Sequence, residues 1–155
     1  MSRQESPDPT GEACPLPSSN RSNDPEADAV ARMLRGRRIA VVGLSDNRSR
    51  AAHRIAQFLR SIGREVVPVN PNYQEVMGVQ CYPTIASVPG KVDVVDVFRR
   101  AEFCADVVRD AIEAGAGGVW LQSGLINAEA RRLAEEAGID YVEDRCLMVE
   151  IMHAT

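Results

Sequence analysis

The feature that most constrains the fold of this chain is a regular alternation of short apolar runs with segments of helical periodicity. Five apolar runs are predicted to be β-strands: RRIAVVG (37–43), REVVPVN (64–70), KVDVVDVF (91–98), GGVWLQSG (117–124) and IDYVED (139–144). Between them, apolar residues recur at helical spacing, and glycines such as Gly63, Gly115 and Gly138 predict helix ends. Strands this apolar are typical of a parallel sheet that is buried on both faces.

Because helices connect these strands over short loops, the pattern predicts right-handed βαβ units. The expected fold class is α/β: a doubly wound, mostly parallel Rossmann-like sheet in a single domain of three layers, α/β/α. We predict the strand order 3-2-1-4-5, so that the chain reverses direction beside the first strand. The irregular segment 73–90 is predicted to add one short strand near 79–82 and a single helical turn. Ligands of such sheets bind at the reversal, beyond the carboxyl ends of the strands.

The 155 residues suit one domain with a sizeable core. Residues 1–23 are rich in Ser, Pro, Asn, Asp and Glu, and we predict that they form a disordered N-terminal tail. Asp24 followed by Pro25 predicts the start of a helix, and therefore of a folded domain that spans 24–155.

Composition argues against several classes of protein. A formal net charge of -4 disfavours a nucleic-acid-binding surface. No apolar run approaches the ~20 residues of a membrane-spanning helix, and the first residues lack the apolar centre of a secretory signal. We therefore expect a cytoplasmic protein without a membrane partner. The four cysteines and two histidines lack the spacing of a metal site or of a disulfide framework, so neither is predicted.

The loop after the first strand has features of a phosphate site. Gly43 lets the chain turn sharply, and the helix that follows directs its free N–H groups and positive end towards the loop. Ser45 and Asn47 add polar groups, and Arg50 adds positive charge. However, GLSDNR does not match the dinucleotide pattern G-x-G-x-x-G. From the residues alone, this loop is either a phosphate site or a solvated connection.

The end of the second strand argues against NAD. A pocket for NAD holds an acidic residue there, which bonds the ribose 2′-hydroxyl, whereas this chain has Val69, Asn70, Pro71 and Asn72. Pro71 offers a flat apolar edge to an adenine ring, or simply forms a turn. An acidic residue at this corner would repel a ligand phosphate, so its absence favours a polyanionic nucleotide.

Several motifs together resemble a known family. VVGLS, AxxIAxFLxxxGxEVxPVNP, VDVVDVF, AIEAGAGGVWLQSGxxNxEA and DRC are similar, in order and spacing, to the small stand-alone coenzyme A-binding proteins. Their Rossmann-like domain is related to the N-terminal domain of the succinyl-CoA ligase alpha subunit. The resemblance runs from about Ala29 to His153, and it implies coenzyme A (CoA) or an acyl-CoA as the ligand.

The resemblance also implies a division of the site among three parts of CoA. The first loop and helix end would meet the diphosphate, the turn after the second strand would hold the adenosine, and the ends of the two central strands would flank the pantetheine arm. By matched position, these three groups are Gly43, Ser45 and Asn47; Val69, Asn70, Pro71 and Tyr73; and Phe98, Arg99, Leu121, Gln122 and Ser123.

The leading hypothesis is a CoA-binding protein, without a catalytic residue that the sequence reveals and more consistent with a binding protein than with an enzyme. The ligase relatives carry their phosphohistidine in a second domain, which a chain of this length is not expected to contain. One alternative is an NAD(P)-binding oxidoreductase or redox sensor. Another is a regulatory interaction subunit of an acyl-CoA enzyme, and a protein partner stays open.

Four further residues carry specific expectations. His53 falls on the polar stripe of its predicted helix and is expected to be exposed. Asp96, inside an apolar strand, is expected to play a structural role, paired with arginines or backbone amides that follow it. Cys146 either packs in the core or faces the crevice, where a mixed disulfide with CoA becomes conceivable. Arg145 either meets a phosphate or pairs with the acidic residues before it.

Overall fold

The computed structural model describes residues 24–154, so the predicted tail, 1–23, lies outside the described residues. Its centre is a five-stranded sheet whose neighbours all pair in parallel. The strands are β1 (Arg38–Val42), β2 (Glu65–Val69), β5 (Val94–Val97), β6 (Gly118–Leu121) and β7 (Asp140–Val142), in the spatial order β2-β1-β5-β6-β7. Two short strands, β3 (Glu75–Val76) and β4 (Val79–Gln80), form a separate antiparallel pair.

Helices cover both faces of the sheet and confirm the predicted three-layer α/β fold. Successive strand residues point to opposite faces, so that Ile39 and Val41 of β1 pack on one side while Ala40 and Val42 pack on the other. The first side is covered by α1 (Pro25–Leu34), α2 (Ala51–Ser61) and α5 (Leu147–Ala154), and the second by α3 (Cys104–Glu113) and α4 (Ala128–Ala137). In the described part of the chain, no helix is both long and apolar enough to cross a bilayer.

The predicted helix ends are confirmed by their hydrogen bonds. The Asp24 side chain accepts from the backbone N–H of Glu26 at 3.0 Å and caps α1, with Pro25 in the first helical turn. Asn127 caps α4 by accepting from the Ala130 N–H at 2.9 Å, and Gly138 ends that helix in the left-handed conformation.

The predicted strand order is wrong in the position of the third predicted strand, 91–98, which is β5 in the structure. If the five strands of the sheet are counted along the chain, their order is 2-1-3-4-5 rather than 3-2-1-4-5. The segment after β2 folds back on itself as β3 and β4, and it adds to β2 only one parallel bridge, Val69 with Tyr82. The apolar β5 instead lies between β1 and β6, where neighbours on both sides satisfy its backbone. The predicted reversal of the chain beside β1 is retained.

Gly43 allows the ends of three strands to approach one another. Its N–H donates to the Val69 carbonyl at 2.9 Å, while the N–H of Phe98 donates to the Val42 carbonyl at 2.9 Å. The backbone of Gly43 has φ of +94°, and a Cβ atom on it would collide with the carbonyl oxygen of Phe98. Glycine is therefore required here for two reasons, conformation and space.

This double requirement predicts that Gly43→Ala destabilises the fold more than an ordinary glycine replacement. Gly63→Ala is the matched control, because Gly63 also has positive φ, +87°, but no atom lies within 4 Å of the place that a Cβ would occupy. We expect a loss of roughly 1 kcal/mol for Gly63→Ala and of at least ~2 kcal/mol for Gly43→Ala in the free energy of unfolding, measured with urea. Equal losses would contradict the close approach to Phe98.

Candidate functional site

The carboxyl ends of the central strands open into a cleft of about 790 Å³. It lies on the side of the sheet that α2 and α5 cover, because both helices contribute residues at or near their first turns. The residues that line it include ten that the sequence predicted for the site: Gly43, Ser45, Asn47, Arg50, Asn70, Tyr73, Phe98, Arg99, Gln122 and Ser123. The structure thus brings together residues from four separate strand ends.

Three other predicted residues do not line this cleft. Leu121 is fully buried in the core, and Val69 is nearly so, because both point to the opposite face of the sheet. Val69 and Pro71 instead border a second pocket of about 210 Å³ beside α3. Pro83, Ile85 and Val107 contribute apolar surface to that pocket, and Asp106 and Asp110 contribute carboxylates. Arg99 borders both cavities.

Local hydrogen bonds hold the loop that leads from β1 into α2. The Ser45 hydroxyl accepts from the Asn47 N–H at 3.2 Å, and the Asn47 side-chain oxygen accepts from the Ser49 N–H at 3.0 Å. Arg50, the residue that precedes α2, provides no side-chain cap. The first N–H groups of a helix have no acceptor within it. In α2 these groups include the N–H groups of Ala51 and Ala52, and both residues line the cleft. The helix start is therefore available to an anion.

The charge of the cleft is positive, although the whole chain is acidic. Arg50, Arg54, Arg99 and Arg100 line it, and no aspartate or glutamate of the described residues, 24–154, does. Among residues 24–154, ion pairs involve arginines elsewhere, such as Arg32 with Asp140 at 2.7 Å, and none of the four cleft arginines. Their positive charge is thus not neutralised by a neighbouring carboxylate.

Asn70 organises the strand-two corner of the cleft. Its side-chain nitrogen donates to the Leu44 carbonyl at 3.1 Å, and its side-chain oxygen accepts from the Asn72 N–H at 3.0 Å. The amide therefore ties the turn after β2 to the loop after β1. A carboxylate at this position would lose the first of these bonds, since it has no N–H to donate.

Asp96 and Gln122 form a buried polar pair at the floor of the cleft. Asp96 is fully buried, and Gln122, which lines the cleft, is 6% exposed. The side-chain nitrogen Nε2 of Gln122 donates to Oδ1 of Asp96. Burial raises the pKa of Asp96 to about 7, although the hydrogen bond from Gln122 opposes the rise. The partner is thus an amide from the next strand rather than an arginine or a backbone amide.

His53 differs from its sequence-based expectation. It is 4% exposed, so the prediction of a surface histidine is wrong. The segment after β2 also contacts α2, since Arg60, seven residues further along the helix, donates to the Met77 carbonyl at 3.0 Å. A contact formed by a later part of the chain is invisible in the periodicity of the helix alone.

The structure decides between the alternatives that the sequence left open for Cys146 and Arg145. Cys146 is half-buried and lines the cleft beside Met148. Arg145 lies 3.6 Å from both Glu26 and Glu150, whereas Asp144 accepts from the Gly124 N–H at 2.8 Å. Arg145 therefore pairs with acidic residues, but not with its sequence neighbours.

Sequence reasoning missed part of the cleft wall. Arg54 could have been found, because it follows Arg50 by one helical turn and so shares its face. Cys146 was left undecided, and its position depends on how α5 packs. The remaining lining residues that were not predicted are Ala51, Ala52, Ile55, Asn72, Arg100, Leu125 and Met148.

Comparison with known proteins gives one family. The family model of the CoA binding domain matches residues 37–152. The uncharacterized protein YneT of Bacillus subtilis (strain 168) is 36% identical over 127 residues, which cover 82% of this chain and 94% of YneT. The ADP-forming acetate–CoA ligase I of Archaeoglobus fulgidus is 27% identical over 119 residues, or 70% of this chain, but this chain spans only 17% of the ligase.

Solved structures give the same relationship. A hypothetical protein from Pyrococcus horikoshii OT3 superposes with a TM-score of 0.78 at 38% identity, and covers 83% of this chain and 90% of its own. The dinucleotide-forming acetyl-coenzyme A synthetase 1 of Ca. Korarchaeum cryptofilum, in complex with phosphate and ADP, superposes with a TM-score of 0.68 at 29% identity. That match covers 74% of this chain and 27% of the synthetase.

The pKa of Asp96 predicts how stability depends on pH. Unfolded Asp96 loses its proton near its ordinary pKa of 3.8, whereas the folded residue keeps it to about 7. The folded state binds the proton more tightly, so its stability falls as the pH rises through this interval. We expect Asp96→Asn to remove this decline and to raise the free energy of unfolding near neutral pH by on the order of 3 kcal/mol.

Asp93→Asn, in the same segment at the opposite edge of the sheet, is the matched control. Asp93 accepts from the N–H groups of Arg37 and Arg38, and these bonds lower its pKa. We expect this variant to be less stable than the parent near neutral pH, because it loses an ionised acceptor. Urea titrations across the pH range measure both variants. Losses of stability in both would show that Asp96 is not destabilised by burial.

Proposed function

Because the chain belongs to the CoA-binding domain family, we propose that it binds coenzyme A or an acyl-CoA in the cleft at the carboxyl ends of its parallel strands. The observation that carries the proposal is the charge of this cleft. Four arginines and a helix start line it, and no carboxylate from the described part of the chain does, although the chain has a net charge of -4. CoA carries a diphosphate and a 3′-phosphate, and such a ligand needs positive charge and N–H donors.

In this proposal, the diphosphate lies at the start of α2. Gly43, Ser45 and Asn47 offer the loop, the free N–H groups of the first helical turn provide donors, and Arg50 and Arg54 provide charge. The close packing of Gly43 against Phe98 supports this assignment, because it holds the start of the loop against the end of β5 and so leaves room for a ligand to approach the helix start.

The adenosine lies at the corner after β2, between the two cavities. Asn70 and Tyr73 border the cleft, while Val69 and Pro71 border the smaller pocket. A pocket of about 210 Å³ with apolar surface suits the adenine ring, and Arg99 lies where it reaches both cavities. The turn after β2 contributes no carboxylate that would repel the 3′-phosphate, and the two aspartates of the smaller pocket, Asp106 and Asp110, belong to α3.

The pantetheine arm extends along the ends of β5 and β6. Phe98, Leu125 and Met148 offer apolar surface to its chain, and Gln122 and Ser123 offer polar groups to its amides. The cleft volume of about 790 Å³ lies in the range of pockets that hold cofactors.

Titration calorimetry with CoA, dephospho-CoA, NAD and ATP tests this proposal. We expect CoA to bind most tightly, and dephospho-CoA more weakly because it lacks the 3′-phosphate. We also expect Arg99→Gln to weaken CoA by roughly 5-fold to 10-fold, or about 1 kcal/mol, through the loss of one charge.

Arg37→Gln is the control for this substitution. It removes the same charge from an exposed site at the opposite edge of the sheet, so its effect on CoA should stay within about 2-fold at physiological salt. If the protein binds NAD tightly and does not bind CoA, the proposal is refuted and an oxidoreductase or redox sensor is favoured. Equal losses in the two arginine variants would show that net charge, rather than this cleft, attracts the ligand.

A further inference from the structure

The pair of Asp96 and Gln122 places an unusual combination of groups at the cleft floor. Among the described residues, only two buried side-chain atoms lack a hydrogen-bond partner, and Oδ2 of Asp96 is one of them. A fully buried carboxyl group with one oxygen atom that forms no hydrogen bond destabilises a fold. Groups that are unfavourable for stability and border a ligand cleft are candidates for a functional role.

Gln122 connects this buried group to the cleft. Its Nε2 donates to Asp96, and its Oε1 accepts no hydrogen bond from any residue that the structure describes. Oε1 is not one of the two buried atoms without a partner, so it is accessible, and Gln122 lines the cleft. A nine-tenths buried side chain thus presents an unpaired acceptor to the ligand space.

The ionised carboxylate determines which end of the amide faces the ligand. A carboxylate can only accept hydrogen bonds, so it holds the N–H end of Gln122. A protonated Asp96 has an O–H that can donate to Oε1, and the amide can then turn its nitrogen to the cleft. The hydrogen-bonding character of the cleft floor therefore depends on the state of a residue that no ligand touches.

We propose that Asp96 is a positioning residue that acts through Gln122: it directs Oε1 of Gln122 into the cleft, where this oxygen accepts a hydrogen bond from an amide N–H or thiol of the pantetheine arm. The inference rests on the proposed function and adds to it a determinant of ligand recognition. It makes the recognition of the arm separable from that of the adenosine and phosphates, which lie at the other strand ends.

Other ionisable groups surround the pair, and the test has to cancel their effects. The strands on either side place uncharged residues, Val41 and Trp120, beside Asp96. The elements packed over this face and the loop after β5 carry further titratable or charged groups: Glu26, Asp28, Arg32, Arg50, His53, Arg54, Arg60, Arg99, Arg100, Glu102, Arg145, Cys146, Glu150 and His153. Since all of these are shared by the parent protein and Asp96→Asn, the difference between the two isolates Asp96.

The experiment compares two probes by calorimetry, CoA and adenosine 3′,5′-bisphosphate, which lacks the arm. In the parent protein, the affinity ratio of CoA to bisphosphate changes with pH for two reasons: Asp96 ionises, and the 5′-phosphate of the bisphosphate, which is a monoester, loses its second proton near about pH 6. Only the second cause remains in Asp96→Asn, so the affinity ratio in the parent divided by that in Asp96→Asn should rise at least ~3-fold from about pH 6 to about pH 8. At about pH 8, CoA should bind Asp96→Asn at least ~3-fold more weakly than the parent. The bisphosphate should bind both proteins equally, within about 2-fold.

Gln122→Leu, which removes the acceptor, should weaken CoA alone, while Asp93→Asn should leave the ratio unchanged. Thermal unfolding checks that each variant is folded, and Gln122→Leu tests the acceptor independently of Asp96→Asn. A ratio of parent to Asp96→Asn that does not change with pH, or the same affinity ratio in the two proteins at about pH 8, overturns the inference while CoA binding stands. A parent protein that binds neither probe overturns the proposed function and this inference with it.

Discussion

The position of β1 between β2 and β5 is the constraint on which the rest of the structure depends. Hydrogen bonds on both sides of β1 bring Val69, Gly43 and Phe98 together at one edge of the sheet. The chain leaves this edge in opposite directions on the two sides of β1, and a cleft therefore opens there. Only glycine is small enough at position 43 for the strand ends to approach so closely, because any side chain would collide with the Phe98 carbonyl. Packing at the strand ends thus creates the space that a ligand needs.

Charge is distributed unevenly over the molecule, and the unevenness supports the proposed ligand. Acidic residues outside the cleft pair with arginines, as Glu143 does with Arg131 at 3.1 Å and Asp140 with Arg32. The cleft keeps its four arginines apart from these acidic residues. Clefts lined by one sign of charge concentrate counter-ions, so a polyanion meets its strongest attraction at the helix start rather than on the acidic remainder of the surface.

The buried carboxyl of Asp96 illustrates how stability and recognition can oppose each other in one residue. An amide in its place would satisfy the same shape without the penalty of a buried charge. The carboxylate does what the amide cannot, because an ionised group that only accepts hydrogen bonds leaves Gln122 a single orientation. The proposed selectivity of the cleft floor and the expected loss of stability near neutral pH therefore have the same physical origin.

The sequence by itself determined the fold class, the helix ends and most of the cleft, because apolar periodicity, capping residues and glycines act locally. Residues that follow parallel strands must share one edge of the sheet, so Asn70, Phe98 and Gln122 could be placed together without a structure. Only the tertiary structure decided the place of β5 beside β1, the burial of His53, and the pairing of Asp96 with Gln122. Each of these depends on a contact between segments that are distant in the chain, and the periodicity of one element carries no information about the element that will cover it.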